Sequence, residues 1–215
     1  MENCPHCRVV RNTLTELDLD ARIFPCPKGG KRFRPEVKAR GGKAMFPYLH
    51  DPNTGARLYE SADIVAYLYE TYAGGGAPSH AAIKALRTSP SMAASALRVG
   101  HGIKAKPGRL PEEMLELYSF EGSPYSRLVR ERLCELELPY VLRNCGRNLA
   151  VEWIVIPALR EKFAPDYAPT QRNRKGLLER TGRMQVPYLV DPNTGTEMYE
   201  SARILRYLET TYGAG

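Results

Sequence analysis

Phe46-Pro47-Tyr48-Leu49, Asp51-Pro52-Asn53-Thr54-Gly55 and Tyr59-Glu60-Ser61-Ala62 return in the same order and spacing as Val186-Pro187-Tyr188-Leu189, Asp191-Pro192-Asn193-Thr194-Gly195 and Tyr199-Glu200-Ser201-Ala202. Working back from these stretches, Glu2-Asn3-Cys4-Pro5-His6-Cys7-Arg8 answers Glu121-Gly122-Ser123-Pro124-Tyr125-Ser126-Arg127, and Cys26 answers Cys145. The offset is 119 residues in the early part and 140 in the late part, so the second copy carries 21 extra residues within Asn148 to Asn173. The chain is a duplicated unit, and one reading must serve both copies.

Each copy reads as β-α-β, a connection, then β-β-α. In the second copy Leu115 to Phe120 alternates as a first strand, Arg127 to Leu136 is a helix and Tyr140 to Arg143 a second strand. Tyr188 to Val190 is a third strand, Asp191 to Gly195 a turn, Glu197 to Tyr199 a fourth strand, and Ala202 to Tyr212 the closing helix. This predicts an α/β fold with a small mixed sheet in each copy. The boundaries are residues 1–73, a linker over 74–113 and residues 114–215, the last with its insertion near 148–173. The first copy starts at Met1, so the strand matching Leu115–Phe120 is missing from it. Either the sequence starts late, which is the favoured expectation, or another chain or segment fills the gap by strand addition.

Composition narrows the class. At 215 residues with 43% apolar content, each half can bury a core. No apolar run reaches the length of a membrane span. Five cysteines without framework spacing point to a reducing compartment. The net charge is +7, and residues 74–113 hold 6 basic against 2 acidic residues. That segment reads as a solvated linker, or as a surface for an acidic partner. No aromatic residues are interleaved with the basic ones as a nucleic-acid platform requires, so no nucleic-acid partner is expected. Ser79 to Gly102 has the pattern of one or two helices. The insertion contains Val151-Glu152-Trp153-Ile154-Val155-Ile156, which suits either core packing or a partner surface built on the only tryptophan.

The chemistry sits in Cys4-Pro5-His6-Cys7. Val9 to Leu19 reads as a helix, and Pro5 suits its first position. Cys4 then lies at a helix N-terminus, where N–H groups and the helix dipole favour a thiolate. His6 and Arg8 are expected to add to that effect. Two cysteines alone do not make a zinc site, and no metal is expected. Pro47 and Pro187 stand at strand entrances, where a cis bond exposes the backbone of Phe46 and Val186 to a ligand. Glu60-Ser61 and Glu200-Ser201 open the closing helices. Serine there is commonly a cap, yet the same N–H groups bind a carboxylate, and the preceding acid pairs with an amine beside it. The combination suits an α-amino acid head group. Cys134 reads as a core residue, and Cys26 and Cys145 as small buried residues or as extra redox partners.

A Cys-Pro-x-Cys helix start, a proline before the third strand and a Glu-Ser pair before the last helix resemble the thioredoxin-like N-terminal domain of glutathione transferases, and more distantly the glutaredoxins. In particular the chain resembles plant, algal and cyanobacterial proteins that carry this domain twice. The resemblance implies two tandem thioredoxin-like domains, the first without its first strand. It implies glutathione as co-substrate, with Phe46, Pro47, Glu60 and Ser61 around it in the first copy and Val186, Pro187, Glu200 and Ser201 in the second. Cys4 would be the nucleophile and Cys7 the resolving thiol; Ser123 would take the place of Cys4 in the second copy, as in serine-type transferases. No helical domain follows either copy, which favours thiol–disulfide exchange on a disulfide-bearing protein over conjugation. Transferase activity, or a non-catalytic adaptor in a larger assembly, are the alternatives. The resemblance also implies a plastid location, although no transit peptide is visible.

Overall fold

The computed structural model describes the chain except residues 80–81, 84–99, 155–158, 160–161, 166 and 215. The expected helical stretch at 79–102 falls mostly outside the described residues, as do Val155 and Ile156. The described elements are helix α1 (Pro5–Glu16), strand β1 (Ala21–Ile23), α2 (Arg34–Gly41), β2 (Leu49–His50), β3 (Arg57–Leu58) and α3 (Ser61–Tyr72), then β4 (Leu115–Ser119), α4 (Pro124–Glu135), β5 (Tyr140–Asn144), a 3-10 turn (Ala150–Trp153), α5 (Arg172–Thr181), β6 (Tyr188–Asp191), β7 (Thr196–Tyr199) and α6 (Ser201–Tyr212). Among the described residues, six helices and a mixed sheet make an α/β fold that fits the thioredoxin-like class.

The duplicated sequence produces duplicated local geometry. Helices α1 and α4 each begin behind a side-chain cap, Cys4 and Ser123, with proline in the first turn. Both start three or more residues before the apolar periodicity does, because cap and proline rather than the apolar face set the start. Both end where one acidic residue turns left-handed, Asp18 at φ 52° and Glu137 at φ 50°. Behind that turn the Leu19 N–H donates to the Leu14 carbonyl, and Leu138 to Leu133, each at 2.9 Å.

The second copy forms its core as its pattern predicts. Leu115 and Leu117 of β4 and Leu189 of β6 meet Val129 and Leu133 of α4 and Ile204 and Leu208 of α6. Full burial of each such side chain is worth about 2 kcal/mol. Asp191 ties the β6–β7 turn to α6: it accepts from the Asn193 N–H at 2.9 Å and from the Tyr207 hydroxyl at 2.6 Å. Asp51 does the same for the first copy with Asn53 at 2.9 Å and Tyr67 at 2.7 Å.

The sheets depart from one sheet per copy. Five strands run in the order β1-β5-β4-β6-β7, so β1 of the first copy extends the sheet of the second, while β2 and β3 form a separate two-stranded ladder. The β1–β5 pairing is antiparallel, with Arg22 opposite Val141, Ala21 opposite Leu142 and Ile23 opposite Tyr140. Arg22 and Val141 are themselves related by the 119-residue offset, so the ladder has local two-fold symmetry. The second copy has β4 between β5 and β6. No described strand holds that place between β1 and β2. What unites the first copy is its apolar layer: Val10 and Leu14 of α1 pack with Ile64 and Leu68 of α3, and Ala21, Leu49 and Leu58 pack against them.

The same symmetry governs four buried charges between the copies. Arg11 Nε donates to Glu121 Oε2 at 2.8 Å, and Arg130 Nε to Glu2 Oε1 at 3.0 Å. Each arginine also reaches a backbone carbonyl, Arg11 that of Glu2 at 3.0 Å and Arg130 that of Glu121 at 3.2 Å. Burial alone would raise the Glu121 carboxyl, but Arg11 and Arg130 override it and hold it down at about 2. Arg11→Ala leaves a buried carboxylate short of a partner and is expected to lower stability by about 3–5 kcal/mol in urea denaturation. Because the Glu121 carboxyl lies below its ordinary value in the folded state, its contribution is present above about pH 4.5 and lost as pH falls toward 2. Wild type should therefore lose stability more steeply than Glu121→Gln in denaturation curves taken down that range.

Candidate functional site

Cys4 is the cap of α1, with extended backbone at φ −95° and ψ 121°. That conformation turns its sulfur over the first turn, where the Cys7 N–H donates to Cys4 Sγ at 3.3 Å. All five cysteines are free thiols. Cys4 and Cys7 are a coupled pair. The Cys7 thiol donates to Cys4, and this bond, the Cys7 N–H and the charge of Arg11 bring the Cys4 thiol down to about 5 against the cost of burial. Cys7 moves the opposite way, well above the ordinary thiol range, because it is the proton donor in that bond and is buried. The expected helpers differ from those found. His6 is exposed, and Arg8 turns to Glu121, 3.6 Å away. The positive charges that act on Cys4 are the Met1 ammonium and, after it, Arg11, one helical turn further on than Arg8. The remaining thiols are inert core groups: burial pushes Cys26 up to about 11, Cys145 up to about 12, and Cys134 up as well.

Phe46–Pro47 and Val186–Pro187 are both cis, as their place before β2 and β6 suggests. Ser61 and Ser201 are not caps. Glu60 and Glu200 occupy the cap position, neither making a side-chain cap bond, and the serines are the first residues of α3 and α6. Glu60 at φ 61° and Glu200 at φ 72° lie in the left-handed region. A non-glycine residue held there costs on the order of 1–3 kcal/mol, and such positions cluster at ligand sites.

The ladder register places these groups in the second copy. Tyr118 of β4 pairs with Tyr188 of β6. Continuing the antiparallel register sets Ser119 and Phe120, which lead into Ser123, opposite Pro187 and Val186. Ser123 Oγ accepts from the Ser126 N–H at 3.2 Å, as Cys4 does from Cys7. Gln185 Nε2 donates to Glu200 Oε1 at 2.8 Å. In the first copy Arg34, the first residue of α2, lies over the Phe46 ring with its guanidinium carbon 4.9 Å from the centroid. Cys4 and Cys7 touch one another. Glu60 and Ser61 are linked to them through the apolar contacts of α1 with α3.

Several residues escape the motif reading. Arg11 and Glu121 carried a signal, because Glu2/Glu121 and Arg11/Arg130 recur at the repeat offset. Arg34 and Arg174 recur at the later one. Glu152 belongs to the insertion and has no counterpart. It is 3% exposed, accepts from the N–H groups of Asn148 at 2.6 Å and Leu149 at 3.0 Å, and pairs with Arg174 Nε at 3.0 Å. Trp153 is not a core residue: it is 60% exposed, edge-on to Phe120 at 6.4 Å, with the Arg147 guanidinium 5.0 Å from its ring.

A capped thiol at a helix start, a cis proline at the third strand and a left-handed Glu before the last helix form one pattern, present twice. The model of the glutathione S-transferase N-terminal domain matches residues 1–76 and 117–215. The chain belongs to this family. No curated protein and no solved structure matches it. Membership carries a glutathione-related function in general and the thioredoxin-like fold. No helix among the described residues is long and apolar enough to cross a membrane.

With its thiol held at about 5, Cys4 should be alkylated by iodoacetamide at a nearly constant rate from pH 6 to 8. The rate should fall only as pH drops through about 5, read by intact mass over time. A midpoint near 8.5, the ordinary thiol value, would contradict the site geometry.

Proposed function

We propose that the protein is a glutathione-dependent thiol–disulfide oxidoreductase working at the first copy. The observation that carries this is the opposite behaviour of the two thiols in one helical turn: Cys4 down to about 5, Cys7 well up. Disulfide exchange needs an attacking thiolate and a second thiol that stays protonated until its turn.

The Cys4 thiolate attacks the glutathionyl sulfur of a mixed disulfide on a protein substrate. The substrate sulfur leaves as a thiolate and takes up a proton. Cys4 is now bonded to glutathione, and the Cys7 thiol has lost the thiolate it was donating to. The largest cause of its raised value is gone. A second glutathione then attacks the glutathionyl sulfur and releases the Cys4 thiolate and glutathione disulfide; by the other route Cys7 attacks the Cys4 sulfur, glutathione leaves, and two further glutathione molecules reduce the Cys4–Cys7 disulfide. Over a full cycle the substrate mixed disulfide and one net glutathione become the substrate thiol and glutathione disulfide.

The second copy cannot perform this exchange, because Ser123 has no sulfur. A transferase reading would place a glutathione thiolate beside Ser123 or Cys4. It is the weaker reading, since the thiol pair has no role in conjugation. The reading includes a tandem protein of the plant, algal and cyanobacterial type in a plastid, supported by the sequence repeat and by resemblance, with a disulfide-bearing protein as partner.

Treatment with oxidised glutathione followed by intact mass tests the proposal. Wild type should form an internal Cys4–Cys7 disulfide or a glutathione adduct. Cys4→Ser should form neither, and Cys7→Ser should accumulate the adduct on Cys4. Equal modification in Cys4→Ser would overturn the assignment.

A further inference from the structure

In the second copy, Leu115 and Leu117 of β4 share a core with Leu136, Leu138 and Leu189, which are 1%, 0% and 0% exposed. The counterparts of those three, Leu17, Leu19 and Leu49, pack against the α1–α3 layer of the first copy but are only half-buried. Pro47 and Tyr48 are half-buried too, where Pro187 and Tyr188 are buried. One element accounts for these differences. β4 lies between β5 and β6, and among the described residues no strand lies in the matching place between β1 and β2.

That place is a slot with strand backbone on both sides. Among the described strands β1 is paired with β5 alone and β2 with β3 alone, so each keeps one unpaired edge. Ala21 of β1 and Leu49 of β2 rest on the same two helices. In the second copy the matching strands stand two inter-strand steps apart, about 9.6 Å, with one strand between them. β4 runs parallel to β5 and antiparallel to β6, so a strand in the slot runs parallel to β1 and antiparallel to β2.

The walls of the slot decide which side chains fit it. Its inward positions, those of Leu115 and Leu117, meet Val10, Leu14, Ile64 and Leu68, the counterparts of Val129, Leu133, Ile204 and Leu208. The outward positions differ between the copies. Glu116 pairs across with Val141 and Val190, and their counterparts are Arg22 and His50, both exposed. Tyr118 pairs across with Arg143 and Tyr188, and their counterparts are Phe24, 50% exposed, and Tyr48. An acidic residue therefore fits between Arg22 and His50, and an aromatic one between Phe24 and Tyr48.

We propose that the slot between β1 and β2 is a docking site for an extended segment of another protein, added as a strand parallel to β1. That segment has apolar residues at its inward positions, an acidic residue between Arg22 and His50 and an aromatic residue between Phe24 and Tyr48. Main-chain hydrogen bonds to the two edges supply the affinity, and the alternate side chains supply the selectivity. Cys4 and Cys7 take no part in this contact, so the docking site stands or falls apart from the redox reading.

The probe is the strand that fills the same place in the second copy: a fluorescent peptide of Met114–Phe120, titrated into the full wild-type chain and read by anisotropy. It should bind saturably at one equivalent. Replacing both inward leucines of the peptide, Leu115→Asp with Leu117→Asp, should weaken binding by about a hundredfold or more. Glu116→Lys in the peptide should weaken it by about fivefold. A peptide N-methylated at alternate amides keeps every side chain but loses the donors along one edge, and it should not bind measurably. In hydrogen–deuterium exchange the unmodified peptide should protect amides around 21–24 and 48–50 and leave those around 140–144 and 188–191 as they were. No saturable binding, binding that survives N-methylation or Glu116→Lys, or protection confined to the second copy would each overturn the inference. So would strong protection at 21–24 and 48–50 before any peptide is added. In a monomer that result would mean that the chain fills the slot itself; accompanied by a dimer in sedimentation equilibrium, it would give the slot to a second copy.

Discussion

Two arginines and two glutamates exchanged between the copies carry the rest of the structure. Arg11 reaches Glu121 and Arg130 reaches Glu2, and each arginine also lies 3.3 Å from the other glutamate. Withdrawing four charges from water costs several kcal/mol each, and only close, multiply bonded geometry offsets it. That demand is what makes the contact specific. A sliding or rotated arrangement of the two copies would strand a buried charge, whereas an apolar interface of the same size would tolerate the shift. The neighbouring β1–β5 ladder obeys the same symmetry, with Arg22 opposite Val141.

Stability and chemistry meet at Arg11. It belongs to α1, the helix that Cys4 caps, and its charge serves both the Glu121 pair and the thiolate. The sulfur is therefore governed partly from the other copy, because Glu121 fixes where the guanidinium lies. This gives the serine-bearing copy a structural role toward the thiol pair. It supplies the second half of the charge network and the sheet edge on which β1 is laid.

Much of the site was legible because each motif has a local physical cause. Proline before a strand, a residue of capping type before a proline-started helix and an acid before Ser-Ala at a helix start are statements about a few consecutive residues, and the repeat states each of them twice. What was misread involved reach. Arg8 is next to the motif in sequence, but the helix carries it toward Glu121; Arg11, three residues further on, lies on the face that serves Cys4. That Glu60 and Glu200, not the serines, take the cap position was not legible, because sequence alone does not reveal that these glutamates turn left-handed. Trp153 suited either core or surface, since apolar character does not record which side of a turn faces water.

The sequence by itself determined the duplication, the order of strands and helices, the cap-and-proline start of α1 and α4 and the presence of a thiol pair in one copy only. These follow from periodicity, turn chemistry and residue type, all of which act over a few residues. The tertiary structure alone decided that β1 joins the other copy's sheet, that the side-chain charge acting on Cys4 is Arg11 rather than His6 or Arg8, and that Glu152 claims Arg174. Each of these is a pairing between residues far apart in the chain. Long-range pairs are chosen by burial, because a charge or a strand edge taken out of water must find its partner wherever the fold has placed one.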